Sequence, residues 1–206
     1  MKKELFLESA LACKAVYKSY FDLGTTEFTV SIIEIDGEHI QMIAIAGTNE
    51  KKDWIKNLDL RSKCGIKIDA YNSAFKILGY CKANKLINSR MPILVTGHSK
   101  AGPTAIAYHR LIKKYYPAFA SKWCVVFAPA RALRYWANRK MNNTFVFTDP
   151  DDPVSFFGRI SFGHPKCKHF KAENNNFGFK VDDHDIDHWV RYCAKMKKDL
   201  DYMSNI

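Results

Sequence analysis

"ILVTGHSKAGPTAIAY", residues 93–108, is the stretch on which the fold turns. An apolar run, Ile93 to Thr96, meets a cramped Gly97-His98-Ser99, and behind Ala101-Gly102 the segment becomes helical in character. A buried strand that turns sharply into a helix is a building unit of α/β sheets. Ligands bind such sheets beyond the carboxyl ends of the strands, which is where Ser99 stands. Gly97 lets the backbone fold tightly, and a small residue at 101 lets the helix pack close to the strand. Pro103 suits an early helical position, where its missing N–H is no loss. The helix start behind Ser99 aims amides and the positive end of a dipole at any negative charge forming there.

Outward from this turn the pattern repeats. Strand, helix, strand, helix and strand are expected at 92–97, 103–115, 123–128, 131–140 and 144–148. The strands are short Val-, Ile- and Phe-rich runs, as parallel strands covered on both faces require. Upstream, "FTVSIIEI", Asp36-Gly37 and "HIQMIAIAG" read as an antiparallel hairpin across an Asp-Gly turn. Helices are expected over 3–21, 50–59 and 69–88, and a last one over 185–201. Between 149 and that last helix lies a long loop rich in turn formers, including "GHPKCKHFKAENNNFGFKVDD". The fold class is therefore α/β: a mostly parallel central sheet, helices on both faces, and an N-terminal antiparallel hairpin.

Composition bounds the rest. At 206 residues, 47% of them apolar, the chain is expected to form one domain, 1–206, with a sizeable core. No apolar run is long enough to span a membrane, and Glu4, Glu8 and Lys14 interrupt any signal-like stretch. The six cysteines show no CxxC or zinc spacing, so reduced thiols in a cytoplasmic protein are expected, and no metal. The net charge of +11 favours anionic partners, with an anionic membrane surface as a peripheral contact. The lysines and arginines are spread over many segments without a nucleic-acid motif, so nucleic acid is not an expected partner.

A nucleophilic serine needs a base, the base an orienting carboxylate, and the developing oxyanion a set of donors. "NTFVFTDPDDPVSFF" places Asp149, Asp151 and Asp152 just past a strand, and "DDHDIDHWVRYC" offers His184 and His188 at the mouth of the last helix. Both acids and histidines follow in the order Ser, acid, His. On the residues alone, the acid and the base each remain open among these.

"AIAGTNEKKDWIKNL", "LVTGHSKAGPTAIAY", "VVFAPARA", "DDPVSF" and "HDIDHW" occur in the order of the fungal-type class 3 lipase family, over roughly residues 40–192. The chain resembles that family, and in particular its short bacterial and phage-type members with a Gly-His-Ser-Lys elbow. The resemblance implies an α/β-hydrolase fold and a triad in which Ser99 is the nucleophile, Asp152 the acid and His184 the base. It places the oxyanion donors at Thr48, beside Gly47, and at the backbone N–H of Lys100. Asp53-Trp54 matches a structural, lid-proximal feature. Two departures stand out: Ala101 holds the usual glycine position of the elbow, and Ser155 replaces a proline after the acid.

The function these features imply is a serine carboxylic-ester hydrolase, lipase- or phospholipase-like, that needs no cofactor and takes an ester or lipid substrate. Gly47, His98, Phe156 and Phe157 are the expected substrate contacts. The loop 156–182, with Phe156, Phe157, Phe162, Phe170 and Phe177 among basic residues, reads as an acyl-pocket wall or surface-contacting element, or as a satellite core. The rival is a binding protein that keeps the fold for recognition of a host protein or an anionic surface. Reaction of Ser99 with an active-site phosphonylating probe separates the two.

Overall fold

Residues 4–24, 26–47, 61–118, 122–131, 133–134, 140–149, 152, 154, 162–171 and 185–204 are described by a computed structural model. Helix α1 (Glu4–Ala15) precedes strands β1 (Phe21–Asp22), β2 (Glu27–Ile35) and β3 (Glu38–Ile45). A short pair, β4 (Ser62–Lys63) and β5 (Ile66–Lys67), leads into α2 (Ile68–Ala83). Then come β6 (Ile93–His98), α3 (Ala101–Tyr115) and β7 (Lys122–Phe127). The remainder is β8 (Leu133–Arg134), β9 (Lys140–Thr148), β10 (Phe162–Gly163), β11 (Lys166–Lys171) and α4 (Ile186–Ser204).

The main sheet has the order β1-β2-β3-β6-β7-β9-β11. Its first three strands pair antiparallel, and every later pair is parallel. The β2–β3 turn is made by Asp36 and Gly37 at φ 51° and 75°, the left-handed pair that a tight hairpin needs. Four short strands, in the order β10-β8-β5-β4, form a second, antiparallel sheet.

Side-chain alternation explains why the central parallel strands are apolar over most of their length. Ile43, Ile45, Val95, Cys124, Val126 and Val146 point into a core shared with α2 and α3. Their neighbours Met42, Leu94, Val125, Phe127, Phe145 and Phe147 point into the opposite core, with α1 and α4. From Ile40 in β3, Ile93 in β6, Cys124 in β7 and Thr144 in β9, the strands are thus buried on both faces up to Ile45, His98, Phe127 and Phe147. In the second core Phe6 meets Phe145 and Phe147 edge-on at 5.1 Å each. Burying one such ring contributes about 1.5–3 kcal/mol, which outweighs the exposed Lys14–Asp187 ion pair that also ties α1 to α4.

This is the α/β-hydrolase fold, as expected. Three local expectations are corrected. The helix expected over 131–140 is replaced at 133–134 by β8, because Leu133 is drawn into the core beside Ile66 of β5. The helix expected over 3–21 stops at Ala15, and Phe21-Asp22 pairs with β2 instead. The long loop after 149 contains β10 and the sheet edge β11, whose lysines at 166, 168 and 171 suit an edge strand exposed along much of its length. Phe162 is fully buried, and Phe170 stacks on Phe147 at 4.7 Å, so these two rings serve packing rather than surface contact. The helix expected over 50–59 lies outside the described residues.

Candidate active site

Four adjacent parallel strands end at the same edge of the sheet. Just past β3 lies Gly47, past β6 Ser99, past β7 the Ala128–Ala130 turn, and past β9 Asp149 and Asp152. Convergence of polar residues at carboxyl ends is what a ligand site in such a sheet requires.

Ser99 adopts φ 55°, a left-handed conformation unfavourable for a side chain with a Cβ. Its N–H donates to the Phe127 carbonyl at 3.0 Å, and its own carbonyl accepts from the N–H groups of Gly102 at 3.1 Å and Ala130 at 3.4 Å. Two glycines make the turn possible. A Cβ on Gly97 would stand 2.8 Å from the Ala101 carbonyl oxygen, and one on Gly102 would stand 2.4 Å from Cβ of Pro129. The helix approaches β6 through Gly97 and the β7 turn through Gly102, so Ala101 is accommodated while buried at 2% exposure. The glycine missing from position 101 has its close-packing role taken up one residue later.

Gly47 sits against the same turn: a Cβ there would lie 3.1 Å from the His98 carbonyl oxygen and 3.8 Å from Ser99 Cβ. Its N–H donates to the Tyr17 hydroxyl at 3.0 Å. Burial raises the Tyr17 phenol above its usual value, while the Gly47 hydrogen bond pulls the other way. Tyr17 escapes sequence reasoning because only the path of α1 along the sheet carries it to the carboxyl edge. A cleft of about 560 Å³ opens beside Gly47, Lys100 and Ala101 and runs toward Glu27, Asp69 and Lys76. His98, the last residue of β6, is buried and does not line this cleft.

Asp152 is fully buried and accepts the Val154 N–H at 2.8 Å on Oδ1, while its own N–H donates to the Asp149 carbonyl at 3.2 Å. The Asp149 carboxylate is also buried, 3.7 Å from Nε2 of His188 in the first turn of α4. That separation is too long for a direct hydrogen bond. Both carboxylates therefore reach the site edge, and His188 accompanies one of them. Thr48, Asp53, Trp54, Asp151, Phe156, Phe157, Phe177 and His184 lie outside the described residues. No cluster of side chains able to hold a metal occurs among the described residues.

No protein-family model and no curated protein matches the sequence. Solved structures do match in fold. The Rhizomucor miehei lipase in its propeptide complex aligns at 15% identity and TM-score 0.60, over 84% of this chain and 68% of that one. A lipase from Yarrowia lipolytica aligns at 13% identity and TM-score 0.61, over 82% of this chain and 78% of that one. A triacylglycerol lipase from Penicillium expansum aligns at 12% identity and TM-score 0.58, over 82% and 80%. These matches correct the resemblance to short bacterial and phage-type members: fungal lipases are what the fold resembles. A tetrapeptide elbow, Gly97 to Lys100, is too short to distinguish one branch from another, whereas the backbone likeness extends over most of the chain. The chain has the α/β-hydrolase fold, in the arrangement seen in fungal lipases.

Proposed function

We propose that the chain is a serine carboxylic-ester hydrolase, lipase- or esterase-like, in which Ser99 is the nucleophile. The observation that carries this reading is the left-handed Ser99 at the carboxyl end of β6, with α3 starting two residues later. A nucleophile there is lifted clear of the sheet, and the helix start favours an oxyanion beside it. In the proposed reaction Ser99 Oγ attacks the ester carbonyl carbon as His184 takes its proton. The tetrahedral oxyanion is held by the Thr48 and Lys100 N–H groups, each such donor worth about 2.7–4 kcal/mol. Collapse breaks the bond to the alcohol, which leaves with the proton from His184. Water then attacks the acyl-serine by the same route and releases the acid. Asp152 fixes the imidazole tautomer and stabilises the imidazolium.

The buried Asp149 beside His188 favours a second assignment of the relay, with His188 as base and Asp149 as acid. In this reading the substrate lies in the cleft reaching Gly47 and Lys100, and His98, Phe156 and Phe157 are its further contacts. Six free thiols fit a reducing, cytoplasmic setting. The +11 charge fits peripheral attraction to anionic lipid, which salt would weaken in vesicle assays without slowing a soluble neutral ester. The deciding experiment is fluorophosphonate labelling of the native chain against Ser99→Ala. Label and short-chain ester turnover lost together in a folded variant support the proposal. Undiminished turnover by Ser99→Ala refutes it, and a native chain inert to both probe and esters leaves the recognition protein.

A further inference from the structure

A second cavity lies at the opposite edge of the sheet from Ser99. Its volume is about 900 Å³, within the range of about 300–1,000 Å³ of small-molecule sites. It is lined by the starts of β9 and β11, by Trp123 near the start of β7, and by Leu5 of α1. A break in strand pairing accompanies it. Lys140 pairs with Lys166 and Phe145 with Lys168, so β9 passes from 140 to 145 while β11 advances only from 166 to 168. The surplus β9 residues bulge out of register, with Asn143 at φ 59°. β7 and β9 pair only from Cys124 and Thr144 onward, so the sheet is split on both sides of β9 at this edge.

The chemistry of the lining is two-sided. Leu5, Met141 and Phe145 are buried apolar side chains, and half-buried Trp123 joins them. Lys140, Lys166 and Lys168 are exposed lysines on the same cavity. Lys140 and Lys166 are direct cross-strand partners, so two cationic side chains stand side by side at the rim of the cavity. Thr144 also lines the cavity, and its buried hydroxyl has no hydrogen-bond partner among the described residues.

From the open register, the apolar floor and the paired lysines we infer that this groove binds a fatty-acid anion, its chain on Leu5, Trp123, Met141 and Phe145 and its carboxylate at the Lys140–Lys166–Lys168 rim. A hydrocarbon tail gains from leaving water along the floor, and a single carboxylate meets cations at one end only. The site is separate from Ser99 and does not depend on the proposed hydrolysis.

Calorimetric titration with dodecanoate, below its micelle concentration, tests this on the full chain. Saturable one-to-one binding is expected, weakening as salt rises. The exposed double variant Lys140→Gln/Lys168→Gln should bind roughly tenfold more weakly, about threefold per ammonium lost. Met141→Glu should abolish binding, and circular dichroism checks that it folds. 1-Dodecanol, with the same chain and no charge, should bind at least tenfold more weakly than dodecanoate. Absence of dodecanoate binding overturns the inference. So does binding that the lysine double variant leaves unchanged, or equal affinity for dodecanol. Binding of anionic vesicles without binding of free dodecanoate also overturns it, in favour of a membrane-contact face.

Discussion

Replacing Gly102 with alanine separates the local logic of the elbow from general helix propensity. In an ordinary helix this change stabilises by about 1 kcal/mol, because glycine is the poorer helix former. Here the added Cβ would lie 2.4 Å from Cβ and 3.1 Å from Cα of Pro129. Ordinary carbon contacts are about 3.5–4.0 Å, so one side must move by more than an ångström. The obstacle is a proline ring and its backbone, not the end of a flexible side chain, which puts the overpacking cost near the upper part of the range of about 1–3 kcal/mol. The clash wins, and a net loss of about 2 kcal/mol is expected, or roughly 4–8 °C in Tm for a chain of this size. The displacement also reaches the site, since the Gly102 and Ala130 N–H groups both bond the Ser99 carbonyl. Urea unfolding and ester turnover should therefore fall together in Gly102→Ala. Ala101→Gly, by contrast, should lose about 0.5–1 kcal/mol and keep its turnover. A Gly102→Ala variant as stable and as active as the parent would refute the packing argument outright.

Four further outcomes follow from the same geometry. Asp152→Asn should keep the Val154 N–H bond and the fold while turnover falls by about three to four orders of magnitude in a steady-state assay, because the wrong imidazole tautomer is then held. His184→Ala should silence ester hydrolysis and His188→Ala should leave a measurable rate; the reverse pattern assigns the relay to His188 and Asp149. Tyr17→Phe strips the Gly47 N–H of its acceptor, so a stability loss of about 1 kcal/mol in urea and a several-fold slower kcat are expected, and neither change would mean the bond is idle. Burial, aided by Lys113 and Lys122, holds the His109 pKa at about 3, against about 6.5 when unfolded. The unfolded chain thus binds the extra proton, and stability falls as pH drops from about 6.5 toward 3, by about 2 kcal/mol at pH 5. His109→Leu should flatten this slope in urea melts at pH 7 and 5, and an unchanged slope would show that His109 does not carry it.

What was legible in the sequence was whatever is decided locally. The run 93–97 could only be a buried strand, Asp36-Gly37 could only be a tight turn, and Gly97-x-Ser99 announced the elbow. The short strands β8, β10 and β11 were hidden because tertiary pairing decides them. Leu133 belongs equally to a helix stripe until Ile66 is found beside it. Lys166–Lys171 alternates too weakly to stand out among turn formers, and becomes a strand only because β9 offers an edge to add to. Tyr17 and the Asp149–His188 approach depend on where α1 and α4 dock, which is set by Phe6, Trp189 and their partners in the second core. The role of Gly102 was invisible for the same reason, since Pro129 reaches it from the next strand.

The distribution of backbone strain is what the proposed role of Ser99 as nucleophile would require. Among the described residues, the non-glycine positions with positive φ are Asp36, Cys64, Lys85, Ser99, Ala128 and Asn143. Asp36 and Asn143 carry side chains that tolerate this conformation, and Cys64 and Lys85 sit on exposed turns where a strained residue disturbs little. Ser99 and Ala128 are different: they follow β6 and β7 directly, and Ala128 is fully buried. A turn serving structure alone would place glycine or asparagine at 99, avoiding roughly 1 kcal/mol or more of strain. The two strained residues instead brace each other's turns, through Ser99 to the Phe127 carbonyl, Ala130 to the Ser99 carbonyl and Ala128 to the Phe147 carbonyl. Three neighbouring strands thus hold one serine in a conformation it would not adopt alone. That arrangement costs stability at the carboxyl edge of the sheet, a cost that the proposed hydrolysis, with a nucleophilic hydroxyl at the start of α3, would account for.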